Sequence, residues 1–213
     1  MSFTVEEFAE LRPFLYHVSA SENLHRLQRT HRLDPADHLL RSAARLDLLR
    51  QRRPNAIALL VEGETVVLKD QRPLIEANVS LKPPWTFGDF VEFLNQHVYF
   101  WPGDAIGPIV SGARLLAHYA EELPLVLRLR VTDLLNANPE TTPLFSPCNS
   151  GAPRMQRGRA VSRGPDLFRP AEAAQRRRFE VIEVAFRAPL KLPPTTEVRG
   201  APEKWVPLAE YAS

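Results

Sequence analysis

The sequence predicts an α+β fold built on a mixed or antiparallel β-sheet. Three observations carry this. The β-rich runs are short, helical patterns separate them without a regular strand–helix–strand repeat, and two runs are joined by a Gly-centred hairpin signature. The 213 residues fit one domain, 1–213, of which 187–213 form a Pro-rich tail expected to wrap the surface. With 44% apolar and 24% charged residues, the composition is that of a globular chain.

The elements follow in order. Thr4-x-x-Glu7 is a capping box for a first short helix, which Arg12-Pro13 ends near Leu11. Phe14 to Val18 reads as a buried strand running through a Ser-rich turn into a helix carrying Leu24 and Leu27, with Ser21 as N-cap. Asp34-Pro35 starts a second helix, cap then N1 proline, and Leu39, Leu40, Ala43, Leu46 and Leu49 keep an apolar face to about Arg50. Its other face, with Arg41, Arg45, Arg50, Arg52 and Arg53, is either a solvated helix surface or a phosphate-facing stripe. After Pro54, Ala56–Val61 and Thr65–Leu68 form a hairpin around Glu62-Gly63-Glu64, and Lys69 to Leu74 leave it as a polar patch.

Thr86-x-x-Asp89 caps a helix through Leu94, followed by a strand from His97 to Trp101 that Pro102-Gly103 closes. Ile106 to Glu122 reads as helix, Leu125 to Val131 alternates as a half-buried strand, and a short helix from Thr132 ends near Asn138-Pro139. Thr141 to Pro170 is loop-rich and contains Ser146-Pro147-Cys148-Asn149-Ser150-Gly151 and a basic stretch at Arg154, Arg157, Arg159 and Arg163. A connection of this length is either a functional lid or disordered. Arg178 to Phe186 is the last clear strand.

Several classes are excluded or disfavoured. No apolar run approaches the roughly 20 residues that span a bilayer, and the first residues lack the basic and apolar regions of a secretory signal, so a cytoplasmic location without membrane contact is expected. The single cysteine, Cys148, rules out an internal disulfide and a Cys-based metal site, and the six His lack a paired acidic cluster at ligand spacing, so no metal is expected. Of 27 cationic residues, 23 are Arg, since Lys stands only at 69, 82, 191 and 204. Either the planar guanidinium fork is being used on phosphate, as in a nucleotide-handling or nucleic-acid-handling protein, or the coding sequence is GC-rich.

Three strand features line up in chain order: Tyr16-His17, Tyr99-Phe100-Trp101 and Val181-Ile182-Glu183. A His at a strand end before a polar turn places an imidazole and open backbone groups at the lip of a sheet, where it is either a ligand contact or a packed core residue. This order resembles the ADP-ribosyltransferase superfamily. Tyr16-His17-Val18-Ser19 followed by Glu22-Asn23-Leu24 is similar to the opening of the DarT toxins, which ADP-ribosylate thymidine in DNA. His97 to Trp101 is similar to their aromatic strand and Phe179 to Val184 to their Glu-bearing strand; Arg72 matches their essential arginine only by order and local context. The Tyr-His, Tyr-Phe-Trp-Pro, Ser-Pro-x-Asn-Ser-Gly and Arg-Gly-Pro-Asp-x-Phe segments are also similar to an uncharacterised bacterial family.

The resemblance implies a split sheet and an enzyme with NAD as co-substrate that transfers ADP-ribose to a nucleic acid base, DNA favoured over RNA, as a toxin or defence component. It implies Glu183 and Arg72 as catalytic residues, and His17, Ser19, Asn23, Tyr99 and Phe100 as NAD-binding residues, with Tyr99 or Phe100 stacked on the nicotinamide. The partners are NAD and single-stranded nucleic acid, with Arg176, Arg177 and Arg178 in the segment before Glu183 compatible with the latter. A protein or small-molecule acceptor, RNA phosphate transfer onto NAD, and a catalytically silent nucleotide-binding module on the same fold stay open. By alternation, Glu183 faces opposite to Ile182 and Val184, into a cleft or into solvent.

Overall fold

A computed structural model describes residues 2–152, 155–156, 159–160, 162–174, 177–200 and 204–212. Arg154, Arg157 and Arg176 of the basic stretches lie outside the described residues. The helices are α1 (Val5–Leu11), α2 (Leu24–Thr30), α3 (Ala36–Ser42), α4 (Phe87–Asn95), α5 (Val110–Ala117) and α6 (Val131–Ala137). The strands up to the middle of the chain are β1 (Phe14–Ser19), β2 (Arg32–Leu33), β3 (Ile57–Val61), β4 (Glu64–Leu68), β5 (Ser80–Leu81), β6 (Val98–Gly103), β7 (Leu125–Arg130) and β8 (Leu144–Ser146). Beyond it come β9 (Met155–Gln156), β10 (Arg159–Ala160), β11 (Ser162–Arg163), β12 (Glu183–Phe186), β13 (Leu190–Lys191), β14 (Glu197–Arg199) and β15 (Val206–Pro207).

The protein is α+β, and its centre is a seven-stranded sheet in the order β15-β14-β7-β1-β6-β12-β8, antiparallel at every pairing. One face carries the main core: Leu15, Phe100, Leu127, Leu129, Val184 and Phe186 pack with α1, α2 and α6. The other face packs Ala185 against Phe90, Val91 and Leu94 of α4, and Phe14, Tyr16 and Val126 against Leu116 of α5 and Trp205. Gly112 lets α5 lie flat on the sheet, because a Cβ there would come within 2.7 Å of the Trp101 side chain.

Locally encoded elements form as the sequence dictates. The two capping boxes at Thr4/Glu7 and Thr86/Asp89 are complete, with hydroxyl and carboxylate each taking the other residue's N–H. The β3–β4 hairpin turns on Glu62 and Gly63, both with positive φ, the geometry that matches strand twist.

Five expectations are corrected. Ser21 does not cap α2 with its side chain; it begins a 3-10 turn, Ser21–Asn23, and its hydroxyl donates to Glu22. The helix expected to reach Arg50 stops at Ser42 and gives way to a 3-10 turn at Leu46–Leu48, with Ala44 at φ 54 between them. Its start differs as well: Pro35 is the N-cap, because Arg26, Arg32 and His38 engage the Asp34 carboxylate. The strand expected from Arg178 begins at Glu183, after a 3-10 turn at Arg178–Glu180. The tail does not merely wrap the surface: β14 extends the central sheet by pairing with β7, and Val198 is fully buried.

Alongside the sheet, α3 and the β3–β4 hairpin enclose their own apolar cluster of Leu39, Leu40, Leu49, Leu59, Val61 and Val66. This lobe joins the sheet through Asn23, whose carboxamide behaves as a strand edge. It donates to the Val67 carbonyl at 2.8 Å and accepts from the Val67 N–H at 2.8 Å. Asn23→Ala would leave a buried backbone donor and acceptor unmatched, and the expected loss is about 1–3 kcal/mol. Chemical denaturation measures it, with faster hydrogen exchange at the Val67 amide as the local signature; unchanged exchange there would refute the clamp.

Candidate functional site

The central sheet opens at one point. β6 pairs with β1 only through Tyr16, Leu15 and Phe14, then with β12 through Val98 to Phe100. Past Tyr16, β1 continues against β7 as far as Ser19 while its ladder to β6 has ended. His17 bridges the opening, its Nδ1 2.8 Å from the Tyr99 carbonyl oxygen. A carbonyl only accepts, so the ring proton sits on Nδ1 and Nε2 is left as an acceptor. Burial holds the His17 pKa below the usual imidazole range, which keeps the ring neutral at pH 7.

At the opening lies a cavity of about 260 Å³, and His17, Ser19, Asn23, Tyr99 and Glu183 all line it. Glu183 is turned inward, 3% exposed, and its Oε2 accepts the Ser150 N–H at 3.0 Å. The Ser150 hydroxyl bonds the same carboxylate, yet burial outweighs both bonds and pushes the carboxyl up to about 7. Tyr99 donates its hydroxyl to the Leu94 carbonyl at 2.6 Å. Burial, with the Glu183 charge beside it, holds its pKa well above the usual phenol value, so it stays protonated. His97 on the same wall donates from Nδ1 to the Phe93 carbonyl at 2.8 Å, and burial lowers it to about 4.

Ser19 and Asn23 reach the cavity with part of their hydrogen-bonding capacity in use. Asn23 Nδ2 donates to Ser19 Oγ at 3.1 Å as well as to Val67. Two expected site residues are elsewhere. Phe100, as the neighbour of Tyr99 on a strand, points to the opposite face and is buried in the main core against Phe186, so it offers no surface to the cavity. Arg72 does not line the cavity; it is half-exposed at the rim, paired with Asp70 at 3.1 Å and with Glu122, above the Tyr119 ring.

Three arginines do line the cavity, Arg26, Arg32 and Arg53; Arg26 and Arg32 are both paired with Asp34, which leaves Arg53. It is 6% exposed, donates to the Asn95 side chain at 2.8 Å and the Lys69 carbonyl at 3.3 Å, and has no carboxylate within ion-pair distance among the described residues. Desolvation lowers it to about 10, which leaves it charged. Of the rest of its expected stripe, Arg41, Arg45 and Arg50 are exposed and pair with Asp37, Asp47 and Asp89, while Arg52 is half-buried and donates to the Gln71 and Arg72 carbonyls. Sequence reasoning missed Arg53, Asn95 and Ser150 as site residues. Ser150 carried a signal in its place in the polar turn Ser146 to Gly151, and Arg53 in the arginine stripe whose phosphate-facing reading was open; Asn95 carried none.

A buried carboxyl titrating near neutrality, a neutral imidazole with a free acceptor and an uncompensated guanidinium therefore share one cavity. Perturbed carboxyls of this kind mark functional sites, and a group with a pKa near 7 can move protons in either direction at neutral pH.

The fold and site define an α+β protein whose antiparallel sheet opens over an acid-bearing cavity. Residues 13–191 match the model of DUF7002, a family of unknown function, and the chain belongs to that family. No curated protein and no solved structure matches it. Among the described residues, no helix is long and apolar enough to cross a membrane.

The Glu183 environment has a consequence for stability. The folded carboxyl keeps its proton up to about pH 7, whereas the unfolded chain releases it near 4.5. The resulting stabilisation is complete below pH 4.5 and is lost as pH rises through 7, about 3 kcal/mol in all. Glu183→Gln lacks this dependence, so its stability relative to wild type should rise by that amount between pH 4.5 and about pH 8. Urea denaturation of both proteins across this range reads it directly; parallel profiles would contradict the buried acid.

Proposed function

We propose that this protein is an ADP-ribosyltransferase: it breaks the bond between nicotinamide and ribose in NAD and joins C1′ of the ribose to a nucleophile on an acceptor. The observation that carries the reading is the convergence of His17, Tyr99 and Glu183, from three strands remote in sequence, on one cavity where the sheet opens. The resemblance of the segments around these residues to ADP-ribosyltransferases supports it, and the opening between β1 and β6 agrees with the split sheet of that superfamily.

The chain's own groups suit the steps. Nicotinamide leaves neutral, with the bonding electrons, and the ribose becomes an oxocarbenium-like cation, so a carboxylate beside it stabilises the developing charge. Glu183 supplies that carboxylate and then takes the proton of the attacking acceptor as the new C1′ bond forms. A pKa of about 7 fits both states of this cycle. His17 offers Nε2 as acceptor to a ribose hydroxyl. Tyr99 and Trp101, on the same face of β6, give aromatic walls for the cationic nicotinamide ring. Arg53 takes the part first assigned to Arg72, because it is the cavity-lining guanidinium without a carboxylate partner among the described residues and so is available to a phosphate.

The acceptor read here is a nucleic acid base, DNA favoured. Its support is the segment leading to Glu183: Phe179 is 55% exposed with the Arg177 guanidinium 5.6 Å from its ring centre, a cation and a bare ring suited to phosphate and base.

Nicotinamide release from NAD, measured with and without single-stranded DNA, tests the reading. Wild type should release nicotinamide faster with DNA present. Glu183→Gln should lower kcat by at least about 100-fold, and Arg53→Lys should raise KM about ten-fold with a smaller effect on kcat. A folded wild-type protein that neither binds nor consumes NAD would end the enzyme reading.

A further inference from the structure

Arg163 is the most buried charged side chain that the reaction above does not use. It is 2% exposed in β11, and no carboxylate lies within ion-pair distance of it among the described residues. Burying a guanidinium without a counter-ion costs several kcal/mol unless its protons are otherwise satisfied. Here backbone carbonyls satisfy them. Nη1 donates to Asn149 O at 3.0 Å and Ser150 O at 2.7 Å and lies 3.8 Å from the Cys148 Sγ, while Nη2 donates to Ala152 O.

The grip falls on the residue that holds the acid. Ser150 gives its carbonyl to Arg163 and its N–H to Glu183 Oε2 at 3.0 Å. The Asn149 carbonyl, which Arg163 binds at 3.0 Å, and the Ser150 N–H belong to one peptide group, so the cation on that carbonyl and the carboxylate on that N–H polarise it in one direction and each bond strengthens the other. We infer that Arg163 is the positioning residue of Glu183, acting through Ser150: it fixes the 149–152 loop so that the Ser150 N–H and hydroxyl meet the carboxylate in one orientation. The inference deepens the transferase reading and rests on Glu183 as the reacting carboxylate.

The charges around Glu183 make the effect measurable. Arg163 from β11 and the Ser150 loop favour the ionised form, and the Tyr99 hydroxyl faces it from β6; His97 and Arg53 line the same cavity. Removing the guanidinium takes away its charge and loosens the Ser150 bonds together, and both changes favour the protonated acid.

The test is a ¹³C NMR titration of the Glu183 side-chain carboxyl in the full chain, read without NAD. Arg163→Met should bind the Glu183 proton about ten-fold more tightly than wild type. Arg169→Met, which removes a cation paired with Asp166 rather than held by the 149–152 loop, should leave the titration unchanged. Arg163→Lys keeps the charge without the fork, and it should speed exchange of the Ser150 amide by at least about ten-fold. It also stands in if Arg163→Met does not fold. A folded Arg163→Met with the wild-type midpoint, or an Arg163→Lys with wild-type Ser150 protection, overturns the inference. Nicotinamide release by wild type is scored separately, so a silent enzyme with a shifted Glu183 would reject the transferase and leave the Arg163 relay standing.

Discussion

A single hydrogen bond stands where the sheet would otherwise continue: the His17 imidazole on the Tyr99 carbonyl. Two neighbouring antiparallel strands normally exchange backbone bonds along their whole length, and a gap leaves donors and acceptors that burial makes costly. Here the side chain supplies the missing partner while holding the strands too far apart for a ladder. The gap thereby becomes habitable space, and the imidazole that braces it is fixed in one tautomer. Tyr99, Glu183 and the polar loop at Ser150 all line the cavity at this opening.

The cavity is chemically uneven. One wall carries Glu183, which burial drives toward its neutral form, and the cavity also takes in Arg53, a cation that Asn95 and a backbone carbonyl satisfy without neutralising. Arg72, by contrast, has its charge already met by Asp70 and Glu122.

Features written in neighbouring residues were legible in the sequence. The capping boxes at Thr4 and Thr86, the Glu62-Gly63 turn and the strand at Phe14 are decided within a few positions of each other. What escaped depends on distant partners. The early end of α3 could not be read, since the interactions that reshape its start come from Arg26, and Ala44 adopts positive φ without the glycine that would have announced it. β14 is three residues among prolines, and only β7, remote in sequence, makes it a strand. For the site, alternation separates Tyr99 from Phe100 but does not say which of the two faces the ligand. Arg53 stood in an arginine stripe that neighbouring residues could not divide into solvated and phosphate-facing members; its bonds to Asn95 of α4 and to the Lys69 carbonyl after the hairpin single it out.

The lobe made by α3 and the β3–β4 hairpin holds its apolar side chains within itself and meets the rest of the molecule largely through polar contacts: Asn23 to Val67, Arg29 to Glu64, Arg50 to Asp89, and Asn95 to the Leu49 carbonyl. Water can replace such bonds one for one at little net expense, whereas it cannot replace a buried methyl group. The molecule therefore has a seam along which a whole unit can part from its neighbour with its oil kept dry. The lip of the cavity runs along that seam, at Arg53, Val67 and Asn95.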